Sequence, residues 1–325
     1  MKHKKLSLLA TLALGVTFLS ACTGMTKPVT FSDNWKTNPN AGAEITETLT
    51  YKVQHEPKDG LISDYKVEYK NGTYTTKLNT QSENGITYYT YTTLLNIDVV
   101  YTYGNESATF TDRVETEAKF LRSADNLRPL YSKKAFISHS PVNGAVEKLE
   151  DCYYAYDYSL VTTYNDLSEA LSEGTTTVTQ RVGENTHEHT SNFEIEDDVR
   201  YLDNEQLLFA LRGINASSAS STATLAVYAP FTRAVQKVSA AFSTSTESST
   251  FTFTRNDEQK ERTINYRTVE LSLNTKNPGS KQRLWIAEKA ENNVNRNLIL
   301  RMETQVSYEL GSLIYTLQTE EYSEK

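Results

Sequence analysis

Three groupings of side chains in this sequence have the types and spacing to do chemistry. His187 and His189 flank Glu188. On a strand, residues two apart share a face, so both imidazoles would converge on one metal ion. A closed site needs a third or fourth ligand, and His55 and His139 lie far away in sequence. Ser63-x-x-Lys66 has the spacing of a serine activated by lysine, and Ser32-Asp33-Asn34 has the form of a companion box. That chemistry needs both side chains on one helical face. Here a strand pattern points them apart, and the Lys-Thr-Gly box is missing. Glu194, Glu196, Asp197 and Asp198 could bind calcium or act as acid and base. A glycan-cleaving pair requires two carboxylates across a cleft, and a solvated strand end explains this run more simply. Gly-x-Ser-x-Gly, a Walker loop and Gly-x-Gly-x-x-Gly are all absent. The expectation is therefore no catalytic residue, no cofactor and no metal beyond the weak pair His187 and His189.

The elements that must position these groups read as strands. Tyrosine occurs 21 times and threonine is frequent, and both suit pleated surfaces. Asn71-Gly72 lies between Tyr65–Tyr69 and Tyr74–Leu78 and predicts a type I′ hairpin. That turn would set Tyr69 against Tyr74, Val67 against Thr76 and Tyr65 against Leu78. Asn84-Gly85 predicts a second hairpin, pairing Thr80 with Tyr89 and Leu78 with Tyr91. Tyr89, Tyr91, Thr93, Leu95, Ile97, Val99, Tyr101 and Tyr103 then recur at every second residue, a strand of about 50 Å. Gly104-Asn105 turns it, and Ala108, Phe110, Val114, Ala118 and Phe120 continue the period. Residues 121–150, with Pro129, Pro141 and Gly144, read as a connection that would divide two lobes. Asp203 reads as a helix N-cap with Gln206 completing a capping box, followed by Leu207, Leu208 and Leu211 and ended by Gly213. Seven further strands follow, with turns at Asn256-Asp257, Asn277-Pro278-Gly279 and Gly311. The expected fold is all-β: a long-stranded antiparallel meander curving into a half-barrel or open barrel, with one short helix near 203–212. Tyr65, Tyr69, Tyr89, Tyr91 and Tyr101 share one face of that sheet. They form either a core stripe or a concave wall that holds an apolar or glycan ligand.

The start of the chain supplies an address. Lys2, His3, Lys4 and Lys5 precede an apolar run over 6–19, then Ser20-Ala21-Cys22. This is the layout of a secretory signal, and its apolar core is shorter than the about 20 residues of a membrane span. The box Leu19-Ser20-Ala21-Cys22 resembles that of bacterial lipoproteins. The resemblance implies cleavage before Cys22 and acylation of its thiol, where each buried methylene adds roughly 0.8 kcal/mol. It places the mature chain on the outer face of the cytoplasmic membrane of a Gram-positive cell, or on the outer membrane of a Gram-negative one. Residues 22–43 read as a flexible tether and 44–325 as a single β domain. The net charge is −8, and losing a leader with three lysines and no acid makes it more negative. Such a surface repels phosphate backbones, so nucleic acid is not an expected partner. Cys152 is the only other cysteine, so stability must come from a core rather than a disulfide.

The second half, over about 200–320, resembles an envelope family catalogued as domain of unknown function 3108. The resemblance rests on Asp203, Leu207-Leu208, Ala210-Leu211-Arg212, Leu284-Trp285-Ile286, Leu300-Arg301-Met302, Gly311, Leu313 and Leu317. It implies a curved antiparallel sheet wrapped partly around a helix, similar in outline to the lipoprotein-carrier fold, and no catalytic residues. The function expected from all this is a membrane-anchored, non-catalytic lipoprotein with a binding or envelope-support role. Its partners would be the membrane, through the lipid, and a lipid or other hydrophobic envelope ligand on the concave sheet. The alternatives are a cell-wall glycan or peptide hydrolase and a structural surface lipoprotein without ligand.

Overall fold

The computed structural model describes residues 29–38, 44–58, 64–83, 86–123, 126–165, 173–195, 201–214, 222–273 and 282–325. The first eight strands are β1 (Ile45–Pro57), β2 (Lys66–Glu83), β3 (Ile86–Tyr103), β4 (Glu106–Ser123), β5 (Asn126–Pro141), β6 (Tyr153–Tyr164), β7 (Glu173–Val182) and β8 (Asn185–Glu194). Each pairs antiparallel with the next, so they form a meander. β9 (Tyr201–Asp203) runs through a 3-10 turn into α1 (Leu207–Leu211). Then follow β10 (Thr222–Ala229), β11 (Ala234–Phe242), β12 (Glu247–Arg255), β13 (Glu258–Leu273), β14 (Gln282–Ala287), β15 (Ile299–Gln305) and β16 (Gly311–Glu324). β1 pairs with β16, which joins both halves into one sheet. β12 pairs with β13 and, in parallel, with β16, so β12 to β16 close into a five-stranded barrel. The fold is thus all-β, with a long curved meander extending from a closed ring.

Local turn signals explain several of the registers. Thr80 lies opposite Tyr89 and Leu78 opposite Tyr91, as the Asn84-Gly85 spacing requires. Tyr103 faces Glu106 across Gly104-Asn105. Asn256 and Asp257 both take positive φ in the two-residue turn between β12 and β13, the geometry of a type I′ hairpin.

The Asn71-Gly72 hairpin does not form; both residues lie inside β2 as a bulge. Lys70 faces Asp98 and Thr73 faces Asn96, so β2 carries one extra residue there. The bulge has a clear purpose in the pattern. Upstream, Tyr65, Val67 and Tyr69 are buried; downstream, Tyr74, Thr76 and Leu78 are. The inserted residue switches the inward set from odd to even numbers, keeping one face of a long strand apolar. Asn71 takes the left-handed conformation and donates to Asp98 at 2.9 Å. Gly72 fits because Val53 and Ile97 crowd the position where a Cβ would stand.

Residues 126–141 are strand, not connection. Pro129 sits beside a bulge opposite Phe120, and Pro141 ends β5, the two places where a strand tolerates a missing N–H. The sheet therefore runs unbroken through the segment read as a divide.

The segment read as a tether is folded over 29–38. Phe31 bridges Ile214, and Trp35, 0% exposed, packs at 4.7 Å from Phe209 and 6.0 Å from Tyr89. The signal lay in Phe31 and Trp35 themselves, two large apolar side chains in an otherwise polar stretch.

Asp203 does cap the helical turn, accepting from Glu205 N–H at 2.8 Å. Gln206 does not reach back to close a capping box; it donates to the Leu127 carbonyl. Leu207, Phe209, Ala210 and Leu211 are all buried, so this short helix is a plug with apolar contacts around most of its girth. The Asp203 carboxylate also accepts from Ser132 and Tyr164, each at 2.6 Å. Complete burial and the neighbouring Glu205 nevertheless raise its pKa to about 6.

Two outcomes follow. Gly72→Ala would place a Cβ 2.6 Å from Val53 Cβ. It should cost about 1–3 kcal/mol in urea unfolding, as overpacking does. Gly144→Ala, with open space around it, should shift stability by under about 1 kcal/mol. For Asp203, the raised pKa means that the folded chain holds a proton the unfolded chain has lost. Its contribution is fully present below about pH 4 and disappears as pH rises through about 6. Unfolding midpoints of the Asp203→Asn variant should lack that component, on the order of 3 kcal/mol, which the parent shows across the window.

Candidate functional site

The inward face of β4 carries Val114, Thr116, Ala118 and Phe120, all buried, and its fifth buried member is Asp112, 1% exposed. A carboxylate at an apolar position must be hydrogen-bonded. Its Oδ1 accepts from the His139 backbone N–H at 2.9 Å and lies 2.8 Å from the His139 Nδ1. Its Oδ2 accepts from the Ser138 hydroxyl at 3.1 Å. Burial raises the Asp112 pKa, and hydrogen bonds from His139 and Ser138 pull against that rise. With Nδ1–H donated to the carboxylate, the imidazole presents Nε2 as its acceptor. The ring is stacked 4.1 Å from Phe110 and also meets Tyr153 edge-on. Tyr101 donates to the His139 carbonyl at 2.6 Å. The ring is therefore held by the Asp112 carboxylate, the face of Phe110 and Tyr153.

This pair borders a recess lined by Tyr69, Ser138, His139, Pro141, Val306 and Leu313. Its volume is about 10 Å³, the room of a single water. Tyr69 also packs edge-on against His55 at 5.1 Å, and His55 Nε2 bonds to the Leu310 carbonyl at 2.9 Å. Burial lowers the His55 pKa, and with Nε2–H donated its Nδ1 can accept from Tyr69 N–H at 3.4 Å. The fold thus packs His55 against Tyr69, which lines the recess together with His139. An oriented imidazole beside a water can accept a proton or polarise a small solute. Ser138 gives its hydroxyl to Asp112, not to His139, so the trio lacks the serine-to-histidine bond of an activated nucleophile.

The residues singled out from sequence fall elsewhere. Cys22, Ser63, Glu196, Asp197 and Asp198 lie outside the described residues. His187 and His189 are exposed on one face of β8. Arg233 lies 3.1 Å from His189 Nε2, and the described residues contain no group of three metal-ligating side chains. Tyr65, Tyr69, Tyr89, Tyr91 and Tyr101 are all buried. Tyr89 and Tyr91 pack on Phe209, and Tyr65 donates to the Val142 carbonyl at 2.7 Å. Of the five, Tyr69 alone lines the recess. Ser32, from the rejected box, donates to the Gly213 carbonyl. Sequence reasoning missed Asp112 and His139. The available signal was a charge at position 112 interrupting the inward run Ala108, Phe110, Val114, Ala118, Phe120.

Comparison with known proteins supplies no relative: no family model, no curated protein and no solved structure matches the chain.

Asp112→Ala should strand the Ser138 hydroxyl and the His139 N–H groups, costing about 1–3 kcal/mol in denaturant midpoint. In the parent, the His139 Nδ1 proton should be visible by NMR as slowly exchanging. In the variant that resonance should vanish into exchange with water.

Proposed function

We propose that this chain is an exported, lipid-anchored β protein that serves the cell envelope through its surface, as a non-catalytic support or contact module. The observation that carries the reading is how its inner face is used. The hollow where an acyl chain would lie is occupied by Trp35 and by Leu207, Phe209 and Leu211 of α1, packed on Tyr89, Tyr91 and Phe120. A recess of about 10 Å³ beside Asp112 and His139 suits a water rather than a sugar or a lipid tail. Among the described residues no helix is long and apolar enough to cross a membrane. We assign attachment to the acylated thiol of Cys22, on the strength of the leader that precedes it.

The test has two arms. Cys22→Ala should move the protein from the membrane pellet to the soluble fraction; a variant that still pellets would overturn the anchor. Native mass spectrometry of residues 23–325 titrated with phospholipid should give the bare mass. Stoichiometric lipid uptake would instead support the carrier reading.

A further inference from the structure

We propose that the anchor holds the domain end-on to the bilayer. The lipid surface would face the rim where β1 begins, β16 ends and β4 meets β5, with the β3–β4 turn pointing away. This rests on the anchored reading above. The argument is one of leash length and attachment. Cys22 and Val29 are seven residues apart, and seven residues span at most about 25 Å however they run.

The chain from Val29 onward is not slack. Val29 packs on the core, and Ser32 N–H donates to the Gly213 carbonyl at 2.8 Å. Arg122 donates to the Phe31 carbonyl at 2.9 Å and to Asp33 at 2.8 Å. Asn293 donates to the Asn34 carbonyl at 2.9 Å, and Thr37 N–H donates to the Tyr322 hydroxyl at 3.2 Å. Trp35 is sealed between Phe209 and Tyr89. Releasing this strap would expose a buried indole and break bonds to four separate elements, so it stays part of the domain.

All these contacts lie at one end of the long strands. Arg122 faces Leu127 across the β4–β5 connection, and Ile45 faces Glu324 where β1 meets β16. The opposite end is remote. Thr87 and Thr102 are fifteen residues apart along β3, and Thr102 pairs with Ser107 just past the turn. That separation is about 50 Å of strand. Electrostatics gives the flanks no reason to lie down. The net charge is −8 before the basic leader is lost, and anionic headgroups repel such a surface. Among the described residues the large exposed apolar side chains, Ile86, Ile137, Tyr154, Val182 and Val294, come from four different strands and a turn.

The test uses the full acylated chain in phosphatidylethanolamine–phosphatidylglycerol vesicles that carry an acceptor-labelled lipid. A donor dye is placed at Thr87→Cys or, in a second chain, at Ser107→Cys; both positions are exposed, and Cys152 is buried. Ser82→Cys, also exposed, serves as a second near site should the first fold poorly. Energy transfer should be several-fold greater from 87 and 82 than from 107. A long Gly/Ser insert between Pro28 and Val29 should reduce the near-site transfer. Equal transfer from both ends, or more from 107, would overturn the end-on arrangement. An intact mass without acyl chains at Cys22 would instead bring down the anchored reading, and this proposal with it.

Discussion

Closure of the fold depends on a chain of buried charges. Arg212, Glu47, Arg296, Glu320 and Arg255 alternate in sign through the interior. They come from the end of α1, β1, the turn before β15, β16 and β12 in turn. Arg212 grips Glu47 with two nitrogens, at 2.5 and 3.0 Å, and Arg296 touches both Glu47 and Glu320. Arg255 reaches the other oxygen of Glu320 at 2.7 Å, in the very register where β12 meets β16 and closes the barrel. Burying such ions is expensive, and it is tolerated only where every charge is matched and hydrogen-bonded. Here each carboxylate is met by two arginines, Glu47 by Arg212 and Arg296 and Glu320 by Arg296 and Arg255. Burial pushes the Glu47 carboxyl up, yet Arg212 and Arg296 hold it below its usual range. The surplus positive charge is spread over aromatic faces, with Arg296 3.6 Å above Tyr322 and Arg255 5.3 Å from Phe253. Breaking one link leaves an uncompensated buried charge, so the five elements are coupled as one unit.

That coupling helps explain why the inner face is packed with side chains. The network fixes α1 to β1 through Arg212, the residue that follows the helix, and α1 then presses Phe209 into the tyrosines of β3. The strap at 29–38 seals the same place from outside. Two further acids inside are held by particular partners: Asp112 by His139 and Ser138, and Asp203 by Ser132, Tyr164 and a backbone N–H. Two buried acids consequently behave oppositely. Glu47 is kept ionised by paired cations, while Asp203, with hydroxyl and amide donors but no cation bonded to it, is pushed toward its neutral form.

The sequence by itself determined the strand-rich class, the alternation of β3 and β4, several turns and the cap at Asp203, because period-two patterns and turn chemistry are local. It also carried unread hints: Glu47 among Ile45, Leu49 and Tyr51, and Asp112 beside Phe110 and Val114, are charges at inward positions. Only the tertiary structure decided what those charges meet, since Arg212 and Arg296 stand 165 and 249 residues from Glu47. It alone decided that Asn71-Gly72 bends a strand instead of ending it. A left-handed Asn before Gly serves a turn or a bulge equally well, and the partner strand selects between them. Likewise, whether a tyrosine faces a ligand or a neighbour depends on how far the sheet curls and what fills it. That is a property of contacts between distant segments, which no local spacing encodes.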